Sequence, residues 1–468
     1  MAWLAIHYAS QIVPKNKRQK FESLFLFEAL MAKTIFKRIC DDLSFSRLQR
    51  WLVCLSAALF FFYEFIQMGM FNSISQELMH DFSIKAGQLG FLSATYFYAD
   101  VIFLLFAGIL VDRFSIRVII LTAMVMVVLS TFLFSLSRSF EVAAFSHFIA
   151  GIGNAFCFLS CIKLATRWFP SQRLALVIGI IITIAMAGGI MAQTPFAWVV
   201  HALGWRNAVM INAGLGILII LLIYFFVYDY PNHQSPQKMM DVTISPISVM
   251  KSISLSLQNK QNTLAGIYTC LLNLPIILLG ALWGTLYLTQ VHRLERTQAS
   301  LVAMMIFLGT IIGSPLVGWF SDFIGRRRLP MIIGAVLSLL ILLIIMFIPV
   351  LNFYSLLLLF LLLGFFTSTQ IISYPLIAES NPRHLTGTST SLASILIMGG
   401  GAVFQPLFGW LIDLHWDQTV LQGVPYYSIS NYHYGMAIFP IAFIVSLFAA
   451  CCLRETYCQP FVHGNNLC

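Results

Sequence analysis

Long apolar stretches separated by short polar ones recur from residue 51 to residue 453. A helix that crosses the hydrocarbon core of a bilayer needs about 20 mostly apolar residues. The pattern predicts twelve such helices, all of them transmembrane. In chain order the predicted spans are Trp51–Asn72, Gln88–Val111, Arg117–Leu136, Ala143–Ala165, Ala175–Trp198, Asn207–Tyr228, Leu264–Tyr287, Ser300–Phe320, Leu329–Val350, Tyr354–Leu376, Thr388–Ile412 and Tyr434–Leu453.

The polar segments divide the chain into domains. We expect a six-helix N-terminal domain at 51–228, a cytoplasmic linker at 229–263, a six-helix C-terminal domain at 264–453 and a cytoplasmic tail at 454–468. Residues 1–50 are basic and amphipathic, and three interpretations of them stay open: a helix on the membrane surface, a flexible tail, or translation from Met31 instead of Met1. No cleavable signal peptide is expected at the start of the chain.

The two predicted domains repeat each other in sequence. Spans five and eleven share six residue types at a shift of 212, including Gln193 with Gln405. At a shift of 210, the positions that match after spans two and eight are Gly108, Asp112 and Arg117 with Gly318, Asp322 and Arg327. An even number of spans per repeat gives both copies the same membrane orientation. This symmetry predicts a solute site between the halves, near the middle of the bilayer.

The loop after the second span carries a signature. Residues 108–117 read Gly-Ile-Leu-Val-Asp-Arg-Phe-Ser-Ile-Arg and resemble the G-x-L-x-D-R-x-G-R signature of the Major Facilitator Superfamily, with Ser115 where that pattern has glycine. The second copy, residues 318–328, retains Gly325 and adds a basic run. The resemblance covers residues 45–455. It implies an all-α membrane protein with twelve transmembrane helices in two pseudo-symmetric six-helix bundles.

The resemblance also implies a gate at the cytoplasmic face. In the family, a charge lock between the two domains at this signature is associated with the outward-facing state. Asp112 is expected to pair with nearby arginines or to accept hydrogen bonds at the positive start of the eleventh helix. The predicted gating residues are Gly108, Asp112, Arg113, Arg117, Arg167, Gly318, Asp322, Gly325, Arg326, Arg327, Glu379 and Arg383. Charges that only anchor the helix ends are the alternative interpretation.

Composition and charge agree with a membrane protein. The chain is 59% hydrophobic and 10% charged, and a soluble protein of this kind would expose large apolar patches. Lys and Arg residues lie at the ends of the spans, 21 on the predicted cytoplasmic side and five opposite, which places both termini in the cytoplasm. The formal charge of +9 therefore indicates membrane orientation and not nucleic-acid binding. The cysteines are expected to be reduced, and a bacterial inner membrane is the expected location.

Ionisable residues inside the spans are the main candidates for function, because a charge at a helix centre costs about 2.5–3.5 kcal/mol on insertion scales. Glu64 and Asp100 are the predicted proton-coupling residues, since burial favours a neutral carboxyl group and a nearby cation favours a charged one. Lys163 either attracts an anionic group of the substrate or neutralises one of these acids. For both acids, a permanently hydrogen-bonded packing residue is the alternative interpretation.

Other polar and aromatic residues at suitable depth complete the predicted solute site. Gln67 lies on the same helix face as Glu64, and Tyr96 lies one turn before Asp100. If either Gln193 or Gln405 faces a central cavity, its twin is expected to do so as well; hydrogen bonding between helices is the alternative. The predicted substrate-binding residues are Lys163, Gln67, Tyr96, Asn154, Gln193, Asn273, Trp283, Tyr287, Gln370, Tyr374 and Gln405.

These patterns predict a secondary transporter and not an enzyme. Neither a G-x-x-x-x-G-K-[ST] phosphate loop nor an H-E-x-x-H motif occurs in the sequence, so no ATP coupling, metal or cofactor is expected. The predicted activity is alternating-access symport of a small polar, carboxylate-bearing solute with protons. The expected partners are that solute, H+ and the lipid bilayer, and the expected state is a monomer. Proton-coupled export of a drug or siderophore, and a membrane sensor without transport, stay open as alternatives.

Overall fold

The computed structural model describes residues 15–169, 171–230, 251, 254–348, 351–382, 385–421 and 423–459. Side chains are described from residue 48 onward, apart from those at 105, 109, 112, 171, 172 and 175. The side chain of Asp112, the whole of Arg383, most of the predicted linker and part of the predicted N-terminal segment and tail therefore lie outside the described residues. The chain divides after Val53 into two compact units.

Helices account for nearly all of the described chain. In the N-terminal half they are α1 (Lys15–Phe82), α2 (Ala86–Arg113), α3 (Ile116–Leu136), α4 (Phe140–Trp168), α5a (Ser171–Met191), α5b (Thr194–Leu203) and α6 (Trp205–Phe226). In the C-terminal half they are α7a (Lys260–Leu272), the π-helical segment Pro275–Trp283, α7b (Gly284–Val291), α8 (Arg296–Ile324), α9 (Arg328–Phe347), α10a (Phe353–Thr367), the 3-10 segment Ser368–Ile372, α10b (Ser373–Glu379), α11 (Thr386–Asp413), α12a (Ile429–Met436) and α12b (Ile438–Cys452). Two antiparallel strands, β1 (Val420–Leu421) and β2 (Val424–Pro425), lie between α11 and α12a.

The all-α fold class predicted from the apolar pattern is confirmed. Within the described ranges, eleven helical stretches are long and apolar enough to cross a membrane. The remaining predicted span lies in α2, whose 28 residues also exceed the length that a bilayer requires. Positions 105, 109 and 112 of that helix have no described side chain.

Four of the predicted spans are interrupted, and each interruption lies at or just before a proline. Proline has no N–H group, and its ring collides with the carbonyl group four residues earlier, which favours a break or a kink there. Helices α8 and α11 nevertheless continue past Pro315 and Pro406. The four prolines are Pro195 in α5b, Pro275 at the start of the π-helical segment, Pro375 in α10b and Pro440 in α12b.

The contacts between the two halves include the helix pairs α2 with α11 and α5a with α8. Glycines permit this close approach: a Cβ atom on Gly189 would lie 2.5 Å from the Phe307 ring, and one on Gly401 would lie 2.6 Å from the Phe97 ring. Phe97 and Phe307 are themselves 210 residues apart, so the repeat places an equivalent glycine–phenylalanine contact on both sides of the interface.

Candidate functional site

Two carboxyl groups are buried inside the N-terminal half. Glu64 of α1 accepts a hydrogen bond from the Tyr96 hydroxyl of α2 at 3.0 Å, and Asp100 of α2 accepts one from the Asn154 amide of α4 at 2.9 Å. Glu64 is 0% exposed and Asp100 is 2% exposed, whereas Asn154 is half-buried. The structure therefore brings four of the sequence-predicted residues together as two hydrogen-bonded pairs, joined by one turn of α2. We call these four residues and Gln67 the acid cluster.

Among the described residues, one oxygen of the Glu64 carboxyl group has no hydrogen-bond partner. Its Oε1 atom is buried with no hydrogen bond, and so is the Nε2 atom of Gln67 one turn further along α1. A Cβ atom on Gly151 would lie 2.0 Å from the backbone oxygen of Tyr96, so glycine is what allows α4 to approach this part of α2. An unsatisfied buried polar group costs about 1–3 kcal/mol, and more if it is charged. A proton or another small partner at these atoms would remove that cost.

The other half-buried candidates lie on α4, α7 and α10. In the C-terminal half, the Gln370 amide donates to Oδ1 of Asn273 at 2.8 Å. Tyr374 is half-buried on α10b, and Lys163 is half-buried on α4, one turn before Arg167. The described hydrogen-bond partners of Glu64 and Asp100 are Tyr96 and Asn154.

The two glutamines that the repeat relates are both fully buried. Gln193 donates from Nε2 to the backbone oxygen of Gly280 at 2.8 Å, and Gln405 donates from Nε2 to the backbone oxygen of Ile277 at 3.0 Å. Asn72 of α1 donates to Oε1 of Gln193 at 2.7 Å and accepts from the Thr285 amide at 2.8 Å. These six residues form what we call the sealed layer.

Trp283 and Tyr287 are buried within the C-terminal half. The Trp283 ring stacks on Phe408 of α11 with a centroid distance of 5.4 Å. The Tyr287 hydroxyl donates to the backbone oxygen of Ile345 in α9 at 3.3 Å. Neither contact involves a residue of the acid cluster. The predicted substrate-binding residues therefore fall into four groups: the acid cluster, the sealed layer, these two packed aromatic residues, and the half-buried residues Lys163, Asn273, Gln370 and Tyr374.

One end of the bundle, which carries the loops after odd-numbered helices, is held by contacts between the halves. Arg296 of α8 makes a two-point ion pair with Glu77 of α1, with one bond of 2.7 Å, and also donates to the backbone oxygen of Ser73. Asp413 at the end of α11 accepts the Gly87 amide of α2 at 2.7 Å. We call this the closed end.

Tyr427 extends the same contact at the closed end. Its hydroxyl donates to Asp413 at 2.7 Å and accepts the Ala86 amide at 3.0 Å. Lys85, beside the start of α2, lies 5.3 Å from the centre of the Trp416 ring. The first turn of α2 is thus held by the segment that joins α11 to α12a.

The opposite end, which we call the motif end, carries the signature loops. In the N-terminal half, Asp229 accepts the Arg117 amide at 3.0 Å, accepts the Ser115 hydroxyl, and forms an ion pair of 3.6 Å with Arg167. Ser115 also accepts the Val118 amide and caps α3. This explains physically why serine suits the position where the family signature has glycine.

The C-terminal half repeats this arrangement. Arg327 bonds to Asp322 at 2.5 Å and to Glu379 at 2.7 Å. Glu455 accepts the backbone amides of Arg327 and Arg328 at 2.7 and 3.0 Å. Burial acts to lower the pKa of Arg327, but its hydrogen bonds to Glu379 and Asp322 outweigh this and raise it above its usual value.

Sequence reasoning did not select Asp229 or Glu455, although a signal for them exists. Each acid lies three residues after the last helix of its half and holds the start of the helix that follows the signature loop. Arg167 and Glu379 are 212 residues apart and so occupy equivalent positions with opposite charge. Within the described part of the chain, the bonds of Arg117, Arg167, Arg327 and Glu379 all stay inside one half.

The remaining predicted gating residues have simpler surroundings. Gly325 ends α8 with φ of +63°, a conformation that favours glycine. A Cβ atom on Gly108 or Gly318 would meet nothing within 4 Å. Arg113 and Arg326 are exposed, and the predicted bonds of the Asp112 side chain and of Arg383 lie outside the described residues.

The two repeated halves of membrane-length helices identify the chain as a polytopic membrane protein. The model of the Major Facilitator Superfamily matches residues 53–295 and 265–457, and the chain belongs to that superfamily, as its signature loops predicted. It is 22% identical over 371 residues to the probable galactarate/D-glucarate transporter GudP of Escherichia coli K12, covering 72% of this chain and 81% of that protein.

Two further comparisons bear on function and fold. The chain is 22% identical over 296 residues to the membrane sensor protein UhpC of Salmonella typhimurium LT2, covering 59% of this chain and 64% of that protein. It superposes with a TM-score of 0.68 at 17% identity on a bacterial homologue of the human lysosomal transporter Spinster in an inward-facing, unoccupied conformation. That match covers 86% of this chain and 98% of the Spinster homologue. The predicted twelve-helix fold of the superfamily is confirmed.

Proposed function

We propose that this protein is a secondary transporter that moves a small polar solute by alternating access of its two halves. This proposal rests on the cross-half contacts at the closed end, together with the described bonds of Arg117, Arg167, Arg327 and Glu379 at the motif end, which each stay within one half. They describe one of two states in which a central site would open to opposite sides. The excess of Lys and Arg at the motif end supports a cytoplasmic location for that end and for both termini, in a bacterial inner membrane.

We further propose that the solute bears carboxylate groups. Membership of the superfamily does not fix the substrate, but the name of the E. coli relative points to galactarate or D-glucarate, which are hydroxylated dicarboxylates. Lys163 is half-buried on α4 and supplies a cation, and the Asn273–Gln370 pair supplies hydrogen-bonding groups. Both features suit a polar anion.

Proton coupling is assigned to Glu64, with Asp100 as the second acid. Glu64 has one oxygen bonded to Tyr96 and one without a partner, inside a fully buried site. Adding or removing a proton there changes the charge of the N-terminal half, and such a change biases two conformations if they solvate the group differently. Asn154 connects Asp100 to the half-buried side of α4.

The test is transport by the purified protein in liposomes, with and without a pH gradient, after a thermal-shift panel that includes D-glucarate and galactarate. Glu64→Gln should reduce gradient-driven accumulation at least about tenfold, while solute exchange at equal pH continues. Glu141→Gln, which neutralises an exposed acid at the start of α4, is the matched control and should behave as wild type. Wild-type accumulation by Glu64→Gln would remove Glu64 from the coupling scheme.

Two other activities have distinct signatures in the same liposomes. The relationship to the membrane sensor protein UhpC supports a sensor as the second candidate. A sensor would bind its ligand in the thermal-shift panel but show no saturable flux. A proton-coupled exporter would show flux driven by a gradient of the opposite direction, with the same dependence on Glu64.

A further inference from the structure

Helix α7 is interrupted in the middle of the bundle by a π-helical segment, Pro275–Trp283, all nine of whose residues are buried. π-helical turns are rare and occur frequently at functional sites. Two backbone oxygens of this segment, those of Ile277 and Gly280, accept side-chain hydrogen bonds from Gln405 and Gln193. Because these glutamines are 212 residues apart and equivalent in the repeat, both halves use the same residue to bind one segment.

The two glutamines differ in which half they belong to. Gln405 lies on α11 in the same half as α7, and Phe408, one turn further along α11, stacks on Trp283 at the end of the segment. Gln193 lies between α5a and α5b in the opposite half. The bond from Gln405 can therefore move with α7, whereas the bond from Gln193 to Gly280 joins the two halves.

Asn72 adds a second hydrogen bond between the two halves. It donates to Gln193 and accepts the backbone amide of Thr285, just after the π-helical segment. Helices α1, α5 and α7 are thereby joined in a ring of three buried hydrogen bonds, two of which cross between the halves. The ring cannot persist when the halves separate at this depth.

We propose that Asn72 and Gln193 form a release clamp on α7, and that Gln405 is its permanent anchor. The clamp holds the π-helical segment against the N-terminal half while the closed end is sealed, and α7 leaves it when that end opens. The anchor stays bound in both states. This inference rests on the proposed alternation of the two halves, but it does not depend on the solute or on proton coupling.

The test compares the twin variants Gln193→Leu and Gln405→Leu in the full-length protein in nanodiscs. Spin labels would be placed at Leu136 and Tyr354, which are exposed at the closed end, and at Phe114 and Phe323, which are exposed at the motif end. The labels would be attached to ketone-bearing unnatural residues, because Cys451 and Cys452 are exposed native thiols. Pulsed electron–electron distance measurements then report the opening of each end.

Gln193→Leu removes the cross-half bond to Gly280 and the bond that holds Asn72 beside Thr285. It should therefore increase the population with a long distance at the closed end by about five- to tenfold. Gln405→Leu should leave that population within about twofold of wild type, although it lowers the thermal midpoint. Equal shifts in the twin variants, or no shift in Gln193→Leu, would overturn the proposal. If Gln193→Leu does not yield folded protein, Asn72→Ala must give the same direction of shift, and its failure to do so would equally overturn it.

The outcome separates this inference from the proposed function. Closed-end distances that never lengthen in any variant or lipid would contradict alternation itself. Closed-end distances that lengthen in the wild-type protein but are unchanged by Gln193→Leu and Asn72→Ala would contradict the clamp alone.

Discussion

The two ends of the bundle use charged residues in opposite ways. At the closed end, Arg296 pairs with Glu77 and Asp413 binds Gly87, and both contacts join one half to the other. At the motif end, the ion pairs Arg167–Asp229 and Arg327–Glu379 each stay within one half. We infer from this difference that contacts at the closed end hold the halves together in this conformation, whereas the described ion pairs at the motif end stabilise each half by itself.

The ends of α2 and α11 also differ between the closed end and the motif end. One of the two expectations for Asp112, at the motif end of α2, is that it meets the start of α11; the other is a pair with nearby arginines. The structure shows the reverse relation at the closed end, where Asp413 at the end of α11 meets the amide of Gly87 at the start of α2. A carboxylate is stabilised at a helix start because the backbone amides there are unpaired and the helix dipole is positive. The structure thus shows a charge–dipole contact between α2 and α11 at the closed end.

The largest effect on this comparison should come from Arg296. Arg296→Ala removes a two-point ion pair with Glu77 and a hydrogen bond to the Ser73 backbone. The side chains of Arg296 and Glu77 are partly buried, with 23% and 24% of their surface exposed. Two-point pairs between guanidinium and carboxylate are among the stronger polar contacts, so the closed state should lose about 1–2 kcal/mol. Distance measurements between labels at Leu136 and Tyr354 should then show about five- to thirtyfold more of the open population.

Charge exchange provides the control for this prediction. Glu77→Arg and Arg296→Glu should each open the closed end, and the double variant should recover most of the closed population, because the attraction is restored with reversed polarity. A double variant that stays as open as the single ones would show that packing, and not the ion pair, holds this end.

The second effect should come from Asp413. Asp413→Asn keeps an oxygen that can accept the Gly87 amide but removes the charge at the start of α2, and such a charge contributes about 0.3–1 kcal/mol. The open population at the closed end should rise about two- to fivefold in the same distance measurement. Glu295→Gln neutralises an exposed acid at the start of α8, within one half, and should leave the population unchanged. An equal response to both variants would mean that net charge at this end, and not the contact with α2, is responsible.

The fold could be predicted from the sequence because membrane helices are determined largely by apolar length. The interruptions were harder to predict. Pro275 is visible in the sequence, but the π-helical form of the segment after it is not, nor are the hydrogen bonds that Gln193 and Gln405 donate to Gly280 and Ile277. Those partners come from helices far away in the chain, so no local pattern contains the information.

The residues of the candidate site could be predicted from the sequence, but their hydrogen-bond partners could not. Glu64 and Asp100 stand out because buried charge is expensive, but their bonds to Tyr96 and Asn154 depend on how three helices are rotated against each other. Asn72 was missed because a polar residue marked the end of the first predicted span, whereas α1 continues to Phe82.

The smallest effect on closure is expected from the acids at the motif end. Asp229→Asn and Glu455→Gln each weaken the binding of backbone amides at the start of α3 or α9, a kind of contact that contributes about 0.5–2 kcal/mol to helix stability. Because both contacts lie within one half, the closed-end distance distribution should change less than about twofold, while the thermal midpoint falls by a few degrees. The two variants should agree with each other, since the repeat gives both acids one role. If Asp229→Asn opened the closed end as strongly as Arg296→Ala, the motif end would also be controlling the contact between the halves, and the division of roles between the two ends would be wrong.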